Sequence, residues 1–387
     1  MIYRTNPKNG DKLSQLGFGG MRFAKDEEEA ERNIIYAIEN GVNYFDTAYV
    51  YPNSEETLGR ALAKGYRDKV KIATKVQPFL IKKHEDFDKI FNTQLKRLQT
   101  DYIDYYLIHM LTDVQIWNRL VKIGVIQWIE EKKKAGQIRN IGFSYHGGKS
   151  DFVKVIDSYD WEFCMIQYNF LDENNQAGKS GLQYAAGKGL AVMIMEPLRG
   201  GKLVTNLPKE VYNVWGNAYI KRTPAEWAFR WIWNQPEVTV ALSGMSSQKM
   251  IEENIKAASS AEVNSFTEKD FELFEKVKAI LQEKIKIPCT GCNYCMPCPY
   301  GVDIPTCFSC YNDIEIEGKM ESKMKYMMRT SMRKEPHNAS LCQKCGKCEL
   351  HCPQKIEIRN ELTRVKKTME GFYYKPVMFV VRKFMKL

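Results

Sequence analysis

The sequence predicts an α/β chain, a (β/α)8 TIM-type barrel followed by a small α-helical, cysteine-rich domain, and three observations carry that expectation. Short apolar runs of strand type alternate with amphipathic runs of helix type through the first two-thirds of the chain. Eight of the eleven cysteines then fall in two closely spaced ladders near the C-terminus. At 387 residues the chain is too long for the cysteine module alone, and its length suggests two to three domains.

The strand candidates are 13–17, 43–47, 70–75, 102–108, 138–143, 163–168, 190–195 and 238–242. Helical stretches such as 27–39, 86–98, 126–135 and 248–258 separate them, the repeat expected of a closed parallel barrel. Such a barrel carries its chemistry at the C-terminal ends of its strands. Polar residues stand at those ends here: Asp46 after the second strand, Lys75 at the third, His109 at the fourth, Ser144 at the fifth and Gln167 to Asn169 at the sixth.

The ladders are Cys289-x2-Cys292-x2-Cys295-x2-Cys298-Pro299 and Cys342-x2-Cys345-x2-Cys348-x3-Cys352-Pro353. In the bacterial ferredoxin pattern three close thiolates hold three irons of a cubane, and the fourth, before Pro, ligates the other cluster. Two ladders predict two [4Fe–4S] clusters with crossed ligands: Cys289, Cys292, Cys295 and Cys352 on one, Cys342, Cys345, Cys348 and Cys298 on the other. The first ladder is one residue short before its Pro-linked cysteine, so the reach of Cys298 is the open point. Zinc shares the CxxC spacing but gains nothing from the closing Cys-Pro. Disulfides are disfavoured, because no N-terminal apolar segment resembles a secretory signal and a reducing cytoplasm is the expected location. Cys307 and Cys310, one helical turn apart just after the first ladder, have the spacing of ligands but read better as helix-packing residues, and Cys164 reads as a small core residue.

With 44% apolar residues the chain can bury a sizeable core, and no apolar stretch is long enough to span a bilayer. The formal charge of +10 is spread out, without interleaved aromatic residues, which argues against nucleic-acid binding. An acidic partner protein or a phosphorylated cofactor fits it.

The stretches LGFGGMR, GVNYFDTAYVY, KIATK, LKRLQTDYIDYYLIH, IGFS, QYN, EPLRGG and GMSSQKMIEEN follow one another between residues 12 and 260. In that order they resemble the aldo-keto reductase family, and with the ladders appended the chain resembles the subfamily carrying a C-terminal ferredoxin-like domain. The resemblance implies nicotinamide-dependent interconversion of a carbonyl and an alcohol, with a catalytic tetrad of Asp46, Tyr51, Lys75 and His109. The chemistry suits the residue types. Hydride arriving at carbon leaves charge on oxygen, so a proton donor and a polarising group are needed there. Tyr51 would be the acid, Lys75 would lower its pKa, Asp46 would hold Lys75, and His109 would orient the substrate oxygen.

For the cofactor, NADP or NAD, the resemblance implies Gly20, Met21 and Arg22 near the nicotinamide and pyrophosphate. It places Ser144 and Gln167 on the carboxamide and residues 244–254 on the adenine end, with Glu253 and Asn254 matching the adenine contacts. Gly244 and Met250 replace basic residues of phosphate-selective members, leaving Lys249, Ser246 and Ser247 for a 2′-phosphate. Two further departures are Tyr145 beside Ser144, and Met195 where an aromatic ring commonly stacks on the nicotinamide. FMN stays open as a second cofactor, since barrels bind phosphate near the last strands, where Arg199, Gly200 and Gly201 lie.

The expected domains are residues 1–285, the barrel; 286–365, the iron–sulfur module, with helices between the ladders; and 366–387, an apolar and basic tail whose two candidate rests are a membrane surface and the protein itself, the protein being preferred because five consecutive apolar residues bury little in lipid. Hydride transfer moves two electrons and a cubane one, so the clusters imply a ferredoxin or flavoprotein electron partner beside the small-molecule substrate. The alternative is a nucleotide-binding redox sensor. Loops 111–125 and 203–223, with Trp117, Tyr212, Trp215 and Tyr219, are the candidates for shaping substrate choice.

Overall fold

The computed structural model describes residues 1–201, 203–205, 207–283, 286–287, 289, 295–333, 335–352 and 356–385. They form two compact units, one of residues 1–204 and 219–271, the other of residues 205–218 and 272–387.

The first unit is a closed eight-stranded barrel preceded by a hairpin. The hairpin pairs β1 (Tyr3–Thr5) antiparallel with β2 (Lys12–Ser14). The barrel strands are β3 (Leu16–Gly19), β4 (Tyr44–Asp46), β5 (Lys71–Val76), β6 (Ile103–Leu111), β7 (Ile138–Tyr145), β8 (Phe163–Gln167), β9 (Ala191–Met195) and β10 (Val240–Ser243). Every neighbouring pair is parallel, and β10 closes on β3. The expected first strand, 13–17, is in fact divided. Leu13 and Ser14 pair with the hairpin, whereas Leu16 to Phe18 pair with β10. Between them Ser14 Oγ accepts from the Asn43 amide and donates to the Leu16 carbonyl, and Gln15 turns out to donate to the carbonyls of Ala258 and Ala261.

The barrel interior is filled, not hollow. Tyr44, Ala73, Tyr105, Leu107, Phe163, Met165, Ala191, Met193 and Val240 pack in its centre. Gly17 is needed there: a Cβ would stand 2.6 Å from Val240 Cγ1 and 2.8 Å from Leu242 Cδ2. The hairpin closes the N-terminal end, where Arg4 donates to the carbonyls of Trp233, Gln235 and Val238, and Asn6 Nδ2 reaches the Tyr105 hydroxyl. The opposite end is thereby left for chemistry. Outer helices bury apolar stripes against the strands; Glu27–Glu39, for example, starts on the Asp26 cap and buries Ala30, Ile34, Ala37 and Ile38. Cys164 is fully buried on β8, as expected of a packing residue.

The second unit has its own core of Ile287, Val302, Ile304, Cys307, Phe308, Cys310, Tyr326, Ala339, Ile358, Leu362, Val365 and Met369. Cys307 and Cys310 are fully buried in it. Helices Ile304–Asn312, Ile314–Glu317 and Lys319–Tyr326 occupy the stretch between the ladders. The Tyr326 hydroxyl ties the core, donating to Glu370 and accepting from the Ala339 amide at 2.7 Å. The tail is a helix, Tyr374–Met385, that packs within this unit through buried Met378. Residues 205–218, expected at the barrel mouth, group with this unit, where Trp215 lies edge-on to Phe274. Among the described residues no helix is long and apolar enough to cross a membrane.

Candidate active site

Each barrel strand delivers a singled-out residue to the same end: Gly20 follows β3, Asp46 ends β4, Lys75 is next to last in β5, and His109 lies near the end of β6. Ser144 is next to last in β7, Gln167 and Met195 end β8 and β9, and Gly244 follows β10. Parallel strands make this convergence unavoidable, because all eight finish at one rim.

Asp46, Lys75 and His109 are buried. Lys75 Nζ lies 2.5 Å from Asp46 Oδ1 and 2.7 Å from the Thr47 carbonyl. It also stands 5.2 Å from the centre of the Tyr51 ring, and that ring meets the His109 imidazole edge-on at 6.1 Å. Burial pulls the Lys75 pKa down and pushes Asp46 up, each shift opposed by the other's charge. Burial likewise drives His109 well below its ordinary value, with Lys75 and His146 adding, so the imidazole is neutral.

Tyr51 departs from the expectation. Burial raises its phenol, and Asp46 and Glu196 raise it further. Desolvation is the largest of these effects, and it outweighs the lowering expected of Lys75.

Two partners escaped the sequence reading. Gln77 Nε2 meets His109 Nδ1 at 2.5 Å. Gln77 stands two residues beyond Lys75, just past the end of β5, so the spacing that points to it is that of an extended chain continued one residue beyond the strand. Below Lys75, buried Glu55 accepts from Thr74 Oγ1 at 2.6 Å and Gln94 Nε2 at 2.8 Å and faces Arg97; nothing local marks it.

At the cofactor positions, Gly20 is held by Ser54, whose Oγ donates to the Gly20 carbonyl at 2.9 Å. A Cβ on Gly20 would lie 2.9 Å from the Asp46 carbonyl, so only glycine fits. Met21 and Arg22 are exposed; Arg22 donates to the Gly200 carbonyl and passes Gly244. Ser144 Oγ accepts from the Met110 amide at 2.9 Å. Gln167, Asn169 and Arg199 all converge on Asp172, so the Arg199 guanidinium is drawn into an ion pair at 2.7 Å. Tyr145 is buried, its hydroxyl donating to the Gly148 carbonyl, which takes it out of the cofactor position. Met195 is partly buried against the barrel core. Ser246 and Lys249 are exposed, and Lys249 lies 3.9 Å from Glu253, too far to fix it. Asn254 is buried and donates to Ser243 Oγ at 3.1 Å. Trp117 is buried against Trp161 and Tyr159, so it belongs to the core and not to a substrate loop.

In the second unit Cys298, Cys342, Cys345 and Cys348 open on one small pocket, with Tyr300, Gly346 and Arg359 also lining it. Cys298 thus reaches the second ladder. Burial pushes the Cys348 thiol up to about 11, and the neighbouring Glu349 adds to the rise. Among the described residues no group of three or more His, Cys, Asp or Glu is spaced to hold a single metal ion. Cys289, Cys295 and Cys352 pack at the edge of the same core, while Cys292 and Pro353 lie outside the described residues.

The sequence profile of the aldo/keto reductase family matches residues 15–279, and the chain belongs to that family. Protein tas of Escherichia coli is 28% identical over 220 residues, covering 46% of this chain; the chain spans 63% of that relative's length. L-galactose dehydrogenase of Arabidopsis thaliana is 27% identical over 309 residues, 72% of this chain and 94% of that one. Among solved structures, the holo form of aldo-keto reductase AKR11C1 from Bacillus halodurans superimposes with a TM-score of 0.61 at 25% identity, over 72% of this chain and 96% of its own. The family match stops before the first ladder.

Proposed function

We propose that the barrel reduces a small-molecule carbonyl to an alcohol with NADPH or NADH, and that the C-terminal unit holds two [4Fe–4S] clusters as a one-electron relay. The observation that carries the first half is the meeting of Asp46, Lys75, Tyr51 and His109 at the C-terminal rim of one barrel.

A reduced nicotinamide, when bound, supplies hydride to the carbonyl carbon. Tyr51 gives the proton to the oxygen; its phenol is protonated at neutral pH, and the charge that hydride transfer leaves on the substrate oxygen draws the proton across. As the proton leaves, Lys75 beside the ring stabilises the phenolate, and Asp46 with the Thr47 carbonyl keeps the ammonium in place. Neutral His109 takes the Gln77 amide on Nδ1, so its Nε2 carries the proton and donates to the substrate oxygen. Gly20 and Arg22 bear on the cofactor backbone, Ser144 and Gln167 on its carboxamide, and Lys249 with Ser246 on a 2′-phosphate.

For the clusters, the four-thiol pocket supports the set Cys298, Cys342, Cys345 and Cys348. In a cubane each thiolate binds a different iron, so the four sulfurs stand farther apart than around one zinc. Cys289, Cys292, Cys295 and Cys352 would hold the second cluster. An electron partner of ferredoxin or flavoprotein type would then exchange with them one electron at a time.

The test is anaerobic purification with iron and sulfide analysis, followed by a nicotinamide-driven carbonyl screen on the parent and on Tyr51→Phe. We expect about eight irons per chain and a turnover loss of about 10²- to 10⁴-fold in the variant, with nicotinamide binding retained. Equal turnover would turn the reading toward a nucleotide-binding sensor, and stoichiometric zinc without sulfide would remove the clusters.

A further inference from the structure

The segment 371–387 carries Lys375, Arg382, Lys383 and Lys386 and no Asp or Glu. Among the described residues its helix, Tyr374–Met385, is held along one side: Met378 is buried, the Tyr374 hydroxyl bonds Ser331 Oγ, and Arg382 donates to the carbonyls of Ser331 and Arg333 at 3.3 and 3.1 Å. The face turned away is apolar. Phe379 is 72% exposed, Val380 and Val377 are about half exposed, and in the preceding turn Phe372 is 85% and Tyr373 74% exposed. Lys375 and Lys383, each four residues from Phe379, flank it, and neither makes an ion pair among the described residues. A second exposed stripe, Met320, Met324 and Met328, repeats every four residues. Its helix runs beside the turn, since Lys323 Nζ lies 3.9 Å from where a Cβ on Gly371 would stand.

Rings and β-branched side chains left in water cost free energy unless something covers them. The cations choose the cover. A face whose charges are all positive, interleaved with aromatic rings, matches an acidic, part-apolar layer: the rings enter the headgroup region while the lysine stems lie along it and carry their ammoniums to phosphate. The helix is too short to cross a bilayer, so attachment is shallow and reversible. We propose that this face of the C-terminal unit docks on an anionic lipid surface, with Phe372, Tyr373, Phe379 and Val380 inserted and Lys375 and Lys383 on the lipid phosphates.

The full chain is sedimented with vesicles of phosphatidylcholine alone and of phosphatidylcholine containing roughly a third phosphatidylglycerol. Binding is expected to be at least about tenfold tighter on the anionic vesicles and to weaken with salt. The double substitution Phe379→Ser with Val380→Ser should abolish it, and Lys383→Glu should weaken it about fivefold or more. Both change exposed positions, so thermal melting should match the parent, and a matched melt keeps loss of binding from being misread as unfolding. No binding, or equal binding to neutral vesicles, overturns the proposal. So does concentration-dependent dimerisation that the double substitution removes, because the cover is then a second copy of the chain.

Discussion

Removing one member of the Asp46–Lys75 pair should destabilise the barrel strongly, and removing both should not. The two side chains are 6% and 1% exposed, and burial works against the charged form of each. Among the described residues, Lys75→Met leaves the Asp46 carboxylate buried with Oδ2 already lacking a hydrogen-bond partner, and Asp46→Leu leaves an ammonium held by the Thr47 carbonyl alone. Each single change is expected to cost about 3–5 kcal/mol, the scale for an uncompensated buried charge. The double variant Asp46→Leu with Lys75→Met deletes both desolvation penalties and should return to within about 1–2 kcal/mol of the parent, yet stay inactive. Six of the seven tryptophans lie in the barrel unit, so urea denaturation followed by tryptophan fluorescence reads that unit. Near-additive losses in the double variant would refute the reasoning, and so would singles indistinguishable from the parent. The expected pattern means that the pair is a catalytic device that folding tolerates.

Two further outcomes are expected. His109 has its folded pKa pushed well below about 6.5, so below that pH the unfolded chain binds a proton the folded barrel refuses, and stability falls with pH by up to about 1.4 kcal/mol per unit; His109→Gln should flatten the slope in the pH dependence of the urea midpoint. Cys345→Ser should lower iron by about four per chain and abolish dye-coupled electron exchange while nicotinamide-driven reduction persists; iron analysis and the two assays on one preparation check it, and unchanged iron would contradict the four-thiol set.

How much was legible in the sequence follows from the range of the forces involved. The helix Glu27–Glu39 and the helix Gln248–Ala258 could be placed to the residue, because cap residues and a 3.6-residue apolar period are local signals. The eight strands and their polar ends could be read for the same reason, and parallel closure then forces Asp46, Lys75 and His109 onto one rim. The break at Gln15 was hidden, since it depends on Asn43 bonding Ser14 across the barrel floor. The boundary near the tail of the barrel was also hidden, because residues 205–218 join the second unit through packing and not through sequence proximity.

What the sequence determines by itself is residue type and spacing: the strand–helix alternation, the tetrad types in order, the two cysteine ladders and the uncompensated cations of the last helix. Only the tertiary structure decides protonation and partnership. It makes His109 neutral and sets Gln77 on its Nδ1, buries Tyr51 so that its phenol rises instead of falling, draws Arg199 to Asp172, and brings Cys298 to a ladder beginning 44 residues later at Cys342. The physical reason is common to all four. Desolvation and hydrogen bonding act over a few ångströms, and which groups come that close is fixed by the folded chain and not by distance along it.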